Sequence, residues 1–205
     1  MIVIVDYGMG NLSSVRKAFQ FLKVPAKISS DPKQVARAQA LVLPGVGAFG
    51  EAMTELRKRK LIEPLREAVN AGKPFLGICL GLQLLFESSE ESPRVKGLAL
   101  LPGRVKRFSR ASGLKIPQMG WNQIEKSSAR DPLLKGIPDN SFFYFVHGYY
   151  AVPSKRSQVL ASTRYSERFP SIVSNGKNLW ATQFHPEKSQ KWGLKLLRNF
   201  GEIAR

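Results

Sequence analysis

The sequence predicts an α/β fold built on a mostly parallel sheet with helices over both faces. Short apolar runs alternate with helical stretches through the first half of the chain. Those runs lack the in-out polar alternation of a half-exposed sheet, as expected of strands buried on both sides. Several end in turns that contain Gly or Pro, where strand-to-helix connections are expected.

Residues 2–5 (IVIV) form the first such run, stopped by Asp6-Tyr7-Gly8. A helix is expected from about Leu12 to Lys23, with Val15, Phe19 and Leu22 on one face. Residues 40–43 (ALVL) read as a second buried strand, ended by Pro44-Gly45, and helical patterns fill about 48–71. Residues 74–78 (PFLGI) give another buried strand, and Leu80 to Glu87 then reads as a helix. After Pro93 the texture changes to crowded strand candidates at 104–108, 116–125, 142–146, 158–163, 169–173 and 178–184. This half is expected to extend the sheet with antiparallel strands. A last helix spans about 189–203, with Trp192, Leu196 and Phe200 at helical spacing. No linker, repeat or low-complexity tract interrupts the 205 residues, so one domain, 1–205, is expected.

Composition narrows the function classes. Hydrophobic residues make up 43% and charged residues 23%, an ordinary globular balance. No apolar run approaches the roughly 20 residues needed to span a bilayer. The start, MIVIVDYG, lacks the basic opening and cleavage site of a signal peptide and reads as a strand. Cys79 is the sole cysteine, which rules out an internal disulfide and fits a cytoplasmic chain. The net charge is +17, most of it in residues 101–205. Such an excess suits nucleic acid, an acidic membrane surface or an acidic protein partner. The basic residues are mostly scattered in short groups, the densest being Arg57-Lys58-Arg59-Lys60 at an expected helix end. Interleaved aromatic stacking patterns and zinc-ligand spacing are absent, which argues against nucleic acid as the primary partner.

Gly77-Ile78-Cys79-Leu80-Gly81 lies between a strand and a helix, the cysteine form of a nucleophile elbow. A nucleophile on so sharp a turn leaves no room for side chains two residues either side, and glycine supplies it. The helix that follows would aim its N-terminus at the sulfur and favour thiolate. The same pattern also suits a small buried cysteine in a core strand.

A thiol nucleophile needs a base, and the base needs a third group to fix its tautomer. The chain has two histidines, His147 and His185. His185 opens His185-Pro186-Glu187, directly after the strand candidate that ends at Phe184. In extended backbone, positions i and i+2 point the same way, so Glu187 would hold one ring nitrogen while the other faces Cys79. His147 closes the run Phe142-Phe143-Tyr144-Phe145-Val146 and lacks an adjacent acid. It is a second base candidate or a satisfied group at a strand end.

Together these pieces resemble the class I, triad-type glutamine amidotransferases, with a mid-chain cysteine elbow and His-Pro-Glu near the C-terminus. The two motifs lie 106 residues apart here. Further stretches are Val5-Asp6-Tyr7-Gly8-Met9-Gly10-Asn11, Pro44-Gly45-Val46-Gly47, Gly120-Trp121-Asn122, Tyr144-Phe145-Val146-His147 and Gln183-Phe184-His185-Pro186-Glu187-Lys188-Ser189. They resemble the glutaminase subunits of imidazole glycerol phosphate synthase, in histidine biosynthesis, over essentially the whole chain. The related glutaminases of pyridoxal phosphate synthesis would carry Gly-Gly-Glu-Ser in place of Pro44-Gly45-Val46-Gly47.

The resemblance implies a flavodoxin-like, doubly wound fold. It implies hydrolysis of L-glutamine by Cys79, His185 and Glu187, with the backbone N–H groups of Val46 and Leu80 as oxyanion donors. Gly47, Gln83 and Glu91 would hold glutamine. Trp121, Tyr144, His147 and Lys188 would lie toward a synthase partner with a (β/α)8 barrel, in a heterodimer that consumes the ammonia. That half-reaction requires no metal and no cofactor. One departure is Gly148, where such relatives often carry a hydroxyl residue. The alternatives are an amidotransferase subunit of another pathway and a basic scaffold without activity.

Overall fold

Strand β1 (Ile2–Val5) sits inside the sheet because every one of its side chains is apolar and buried. It feeds α1 (Leu12–Phe21), whose first turn is capped by the Asn11 side chain accepting from the Ser14 N–H at 3.3 Å. Then follow β2 (Ala26–Ser29), α2 (Pro32–Arg37), β3 (Ala40–Gly45), α3 (Phe49–Lys58), α4 (Ile62–Asn70) and β4 (Phe75–Cys79). A single helical turn, α5 (Leu80–Gln83), leads to β5 (Ser88–Ser89), β6 (Gly103–Arg107), β7 (Gln118–Gln123) and β8 (Glu125–Lys126). The chain closes with β9 (Phe142–His147), β10 (Tyr149–Pro153), β11 (Val159–Arg164), β12 (Arg168–Ser174), β13 (Leu179–Thr182) and α6 (Gln190–Ile203). This computed structural model describes residues 1–109, 113–127 and 130–205.

The main sheet has eight strands in the order β2-β1-β3-β4-β13-β12-β11-β8. The first five run parallel, and β12, β11 and β8 extend the edge in antiparallel pairs. Alternate residues of each central strand supply opposite faces, as the period of two requires. Val3, Val5, Leu41, Leu43 and Phe75 pack with Leu56 and Leu65 of α3 and α4. Ile2, Ile4, Val42, Leu76 and Ile78 pack on the other side with Phe19 of α1 and Phe200 of α6. Helices therefore cover both faces, and the doubly wound α/β architecture expected from the buried runs is what forms.

Three local expectations need correction. The helix expected over Leu80 to Glu87 stops at Gln83: Leu84 still bonds back to Leu80, but Leu85 and Phe86 reach back only three residues, to Leu82 and Gln83. Leu84, Leu85 and Phe86 are all fully buried, so tertiary packing rather than helical periodicity sets their course. Not all late strands join the main sheet: β10-β6-β5 form a separate three-stranded sheet, and β7 pairs with β9 in a two-stranded one. The sequence patterns do not mark β2, α2, β5 or β10. β2 is a half-buried edge strand of four residues, and α2 has only six, too short for a periodic signal.

Candidate active site

The C-terminal ends of the parallel strands bring the key residues together, the usual place for a site in such a sheet. Register fixes the arrangement. Gly45 pairs with Cys79, so Val46 leaves β3 beside the cysteine. Thr182 pairs with Ile78, so Gln183 leaves β13 on its other side. Cys79, Val46, Gly47, Leu80, Gln83, Glu91, His147 and His185 all line one cavity of about 440 Å³.

Cys79 has the strained backbone of an elbow, with φ 57° and ψ −109°. The flanking glycines are required by packing. A Cβ on Gly81 would overlap the Leu43 carbonyl oxygen, and one on Gly77 would meet the Gly81 carbonyl oxygen at 2.9 Å. The sulfur lies 3.9 Å from both the Val146 carbonyl oxygen and the Gln183 amide nitrogen.

The His185 ring is held from behind. Its Nδ1 stands 2.8 Å from Glu187 Oε1, with both side chains almost fully buried. The backbone between them is a 3₁₀ turn, Pro186–Lys188, and not the extended dipeptide anticipated. Ser189 locks the turn: its hydroxyl donates to the His185 carbonyl at 2.6 Å and accepts from the Tyr144 N–H at 3.0 Å. His185 Nε2 is sealed from solvent without a hydrogen bond of good geometry. Burial pulls the pKa of His185 down, but its interactions with the Cys79 and Glu187 side chains outweigh burial and raise it to about 10.

His147 lines the same cavity but is held by different groups. Its Nδ1 donates to the Tyr149 carbonyl at 2.8 Å, and the rings of Phe108, Phe145 and Phe169 surround it. Burial, which outweighs the Tyr149 hydrogen bond, lowers its pKa to about 4. It is therefore a neutral group in the cavity wall. Only 6% of it is exposed, so its side chain does not stand on the outer surface beside Trp121, Tyr144 and Lys188.

Those three do form one surface group. Trp121 and Tyr144 face each other across the β7–β9 pair with rings 6.1 Å apart. Lys188 Nζ lies 5.8 Å over the Tyr144 ring. Met119 and Phe142 extend the exposed apolar face of this ribbon.

The residues expected to hold glutamine are also in the cavity. Gln83 donates from Nε2 to the Tyr149 carbonyl at 3.0 Å and to Gln183 Oε1 at 3.3 Å, which leaves its own amide oxygen for a ligand. Glu91 Oε2 accepts from the Phe49 N–H at 2.7 Å, so the carboxylate is pinned at the start of α3. Gly47 has φ 94°, open to glycine far more readily than to other residues. Gly45 is needed for a different reason: a Cβ there would strike the Tyr7 hydroxyl and lie 2.9 Å from Leu80 Cβ.

Sequence reasoning missed Arg107, Ile116 and Pro117, which also line the cavity. They come from segments far from either motif, and no local pattern marks them. Gln183 sat inside a quoted motif, but its place beside the sulfur required the β13–β4 register.

A buried cysteine elbow and a histidine–carboxylate pair at the C-terminal edge of a doubly wound sheet define the class I glutamine amidotransferase type. The Glutamine amidotransferase class-I family model matches residues 3–203. The chain is 49% identical to an imidazole glycerol phosphate synthase subunit HisH from Moorella thermoacetica, covering 100% of this chain and 95% of that one. It is 52% identical to a HisH subunit from Desulfitobacterium hafniense, over 98% and 94%. Among solved structures, a glutamine amidotransferase superposes with a TM-score of 0.77 at 22% identity, over 100% and 99% of the two chains. PurLQS from Thermotoga maritima does so with a TM-score of 0.74 at 18%, over 100% and 98%; these two likenesses speak for the fold alone. The chain belongs to the class I glutamine amidotransferases and, within them, to the HisH family of glutaminase subunits of imidazole glycerol phosphate synthase, in histidine biosynthesis.

Proposed function

We propose that the chain hydrolyses L-glutamine through a Cys79 thioester, with His185 as acid and base and Glu187 as its orienting partner. The observation that carries this reading is the 2.8 Å contact between His185 Nδ1 and Glu187 Oε1, made behind an imidazole that lines the same cavity as Cys79. A buried carboxylate on Nδ1 keeps the proton there and leaves Nε2 for the chemistry. The raised pKa of His185 favours an imidazolium beside the sulfur, the charge that supports a cysteine nucleophile.

The thiolate attacks the side-chain amide carbon of glutamine, forming a C–S bond and placing charge on the amide oxygen. The N–H groups of Val46 and Leu80 receive that charge. His185 gives its Nε2 proton to the departing nitrogen, the C–N bond breaks and ammonia leaves. His185 then takes a proton from water, whose oxygen attacks the thioester carbon. The C–S bond then breaks, glutamate departs, and the Cys79 thiolate is restored beside the imidazolium that the water proton has already re-formed. The amide oxygen of Gln83, the Glu91 carboxylate and the space left by Gly47 hold the substrate.

The whole chain works as one glutaminase domain. The ammonia passes to a cyclase subunit with a (β/α)8 barrel in a heterodimer. Trp121, Tyr144 and Lys188 form the docking face, and His147 lies beneath it in the cavity wall. The pair operates in the cytoplasm. No helix among the described residues is long and apolar enough to cross a membrane. The net charge of +17 suits an acidic synthase surface.

The test is a glutaminase assay on the chain with the barrel synthase and its ribonucleotide ligand. Cys79→Ala should fold, because alanine fits where cysteine does, and should release no glutamate. Glutamate at the wild-type rate from this variant would remove Cys79 as the nucleophile.

A further inference from the structure

Gln183 follows β13 directly and is fully buried, yet it is not among the residues that line the cavity. Its carboxamide lies beside the Cys79 sulfur, with Nε2 3.9 Å from Sγ. Resting on the reading of Cys79 as the glutaminase nucleophile, we propose that Gln183 is the fixed hydrogen-bond donor to that sulfur. Its amide holds the thiolate before attack and receives it again as the thioester breaks.

A relay that ends on the backbone sets the direction of this amide. The Tyr149 carbonyl can only accept. It accepts from His147 Nδ1 at 2.8 Å and from Gln83 Nε2 at 3.0 Å. The second proton of Gln83 Nε2 goes to Gln183 Oε1 at 3.3 Å. With its oxygen committed there, Gln183 turns its NH2 group, a donor, toward the sulfur. The backbone of Gln183 is fixed as well, since its N–H donates to the Ser171 carbonyl at 2.9 Å. Cys79, Gln83 and Gln183 are all buried, where an unmade bond is costly. The other neighbour of the sulfur makes a donor necessary. The Val146 carbonyl oxygen, also at 3.9 Å, suits a protonated thiol and repels a thiolate. Both distances are long for neutral partners, and charge on the sulfur shortens the bond from a donor. The His185 proton leaves with ammonia, whereas the Gln183 proton is never spent, so this donor serves both half-reactions.

Cys79 is the sole cysteine, so alkylation of the full chain by iodoacetamide, read as the mass of the chain, reports on one sulfur. The rate is measured with the synthase present and no glutamine, from acid to alkaline pH. Gln183→Met keeps the length of the side chain, removes the donor and leaves the titratable neighbours Tyr7, His147, His185 and Glu187 in place. Near neutral pH it should react about 10-fold or more slowly, the range for losing a hydrogen bond to a charged group. The loss should vanish at alkaline pH, where thiolate forms without help. Gln83→Met, which removes the pin and leaves Gln183, should show a smaller loss with the same pH dependence. A wild-type rate at neutral pH in Gln183→Met would overturn the proposal. So would an equal loss at every pH, which marks a displaced sulfur rather than a missing donor. If wild type hydrolyses no glutamine while the alkylation contrast holds, the donor to the sulfur is upheld and the glutaminase reading alone falls.

Discussion

His185 Nδ1 and Glu187 Oε1 meet at 2.8 Å with side chains only 2% and 1% exposed. Water cannot replace either partner, so the pair acts as a unit. Glu187 Oε2 has no hydrogen-bond partner among the described residues, which leaves the carboxylate committed to the histidine.

Replacing Glu187 with Gln should keep the shape and lose both the tautomer control and the imidazolium stabilisation. A fall in kcat of about 10²-fold or more is expected, measured as glutamate release by the synthase complex. A kcat equal to wild type would exclude Glu187 from the triad.

The same pair makes a pH prediction. Cys79 and Glu187 together, against burial, raise His185 from its ordinary 6.5 to about 10 in the fold, and Glu187 supplies part of that shift. A raised pKa stabilises the folded state fully below the ordinary value, and the contribution is lost as pH climbs through the folded value. The stability gap between wild type and Glu187→Gln should therefore be widest near pH 6 and narrow toward pH 10. Urea unfolding at several pH values reads it, and a gap constant with pH would contradict the assignment.

Gly81→Ala tests the elbow as a packing problem. The new Cβ would overlap the Leu43 carbonyl oxygen, and backbone cannot swing aside as a flexible side chain can. A loss of about 3 kcal/mol or more is expected, at the top of the overpacking range. Gly176→Ala is the control: its φ of 76° is left-handed, but nothing lies within 4 Å of the new Cβ. It should cost about 1–2 kcal/mol of backbone strain alone. Equal losses in the two variants, by denaturant titration, would mean that crowding at the elbow is not what requires Gly81.

Lys188→Ala should leave the triad chemistry intact and weaken coupling to the synthase, since Lys188 sits over the outer Tyr144 ring. A titration of acceptor-stimulated glutaminase activity with the synthase should shift to higher concentration or reach a lower plateau. Superimposable curves would count against the docking face.

The isolated chain should be nearly silent. Gly47 has the left-handed φ that lets the Val46–Gly47 segment adopt a second arrangement, whereas Gly45 is confined by Tyr7 and Leu80. Turning the Val46 N–H toward the oxyanion is then a population shift driven by the ligand-bound partner. One missing oxyanion donor is worth about 10²–10³-fold, so kcat of the isolated chain should trail that of the complex by that order. Equal rates would mean that the loop is already formed.

Much of this protein is determined by the sequence itself. Ile2, Val3, Ile4 and Val5 are apolar without alternation, and such a run buries both faces wherever it lies. Gly77, Cys79 and Gly81 mark the elbow because a sharp turn excludes side chains at fixed offsets. His185 and Glu187 are close in sequence and stay close under most backbone geometries, so their contact was legible even though a 3₁₀ turn makes it. The tertiary structure decided what depends on long-range register. Only the Gly45–Cys79 and Thr182–Ile78 pairings bring Val46 and Gln183 to either side of the sulfur. Only the β6–β10 ladder carries Arg107 to the cavity, and only the facing of β9 turns His147 inward among aromatic rings while Tyr144 stands outward. Local propensity acts over a few residues; partners tens of residues apart are chosen by which burial the whole chain can satisfy at once.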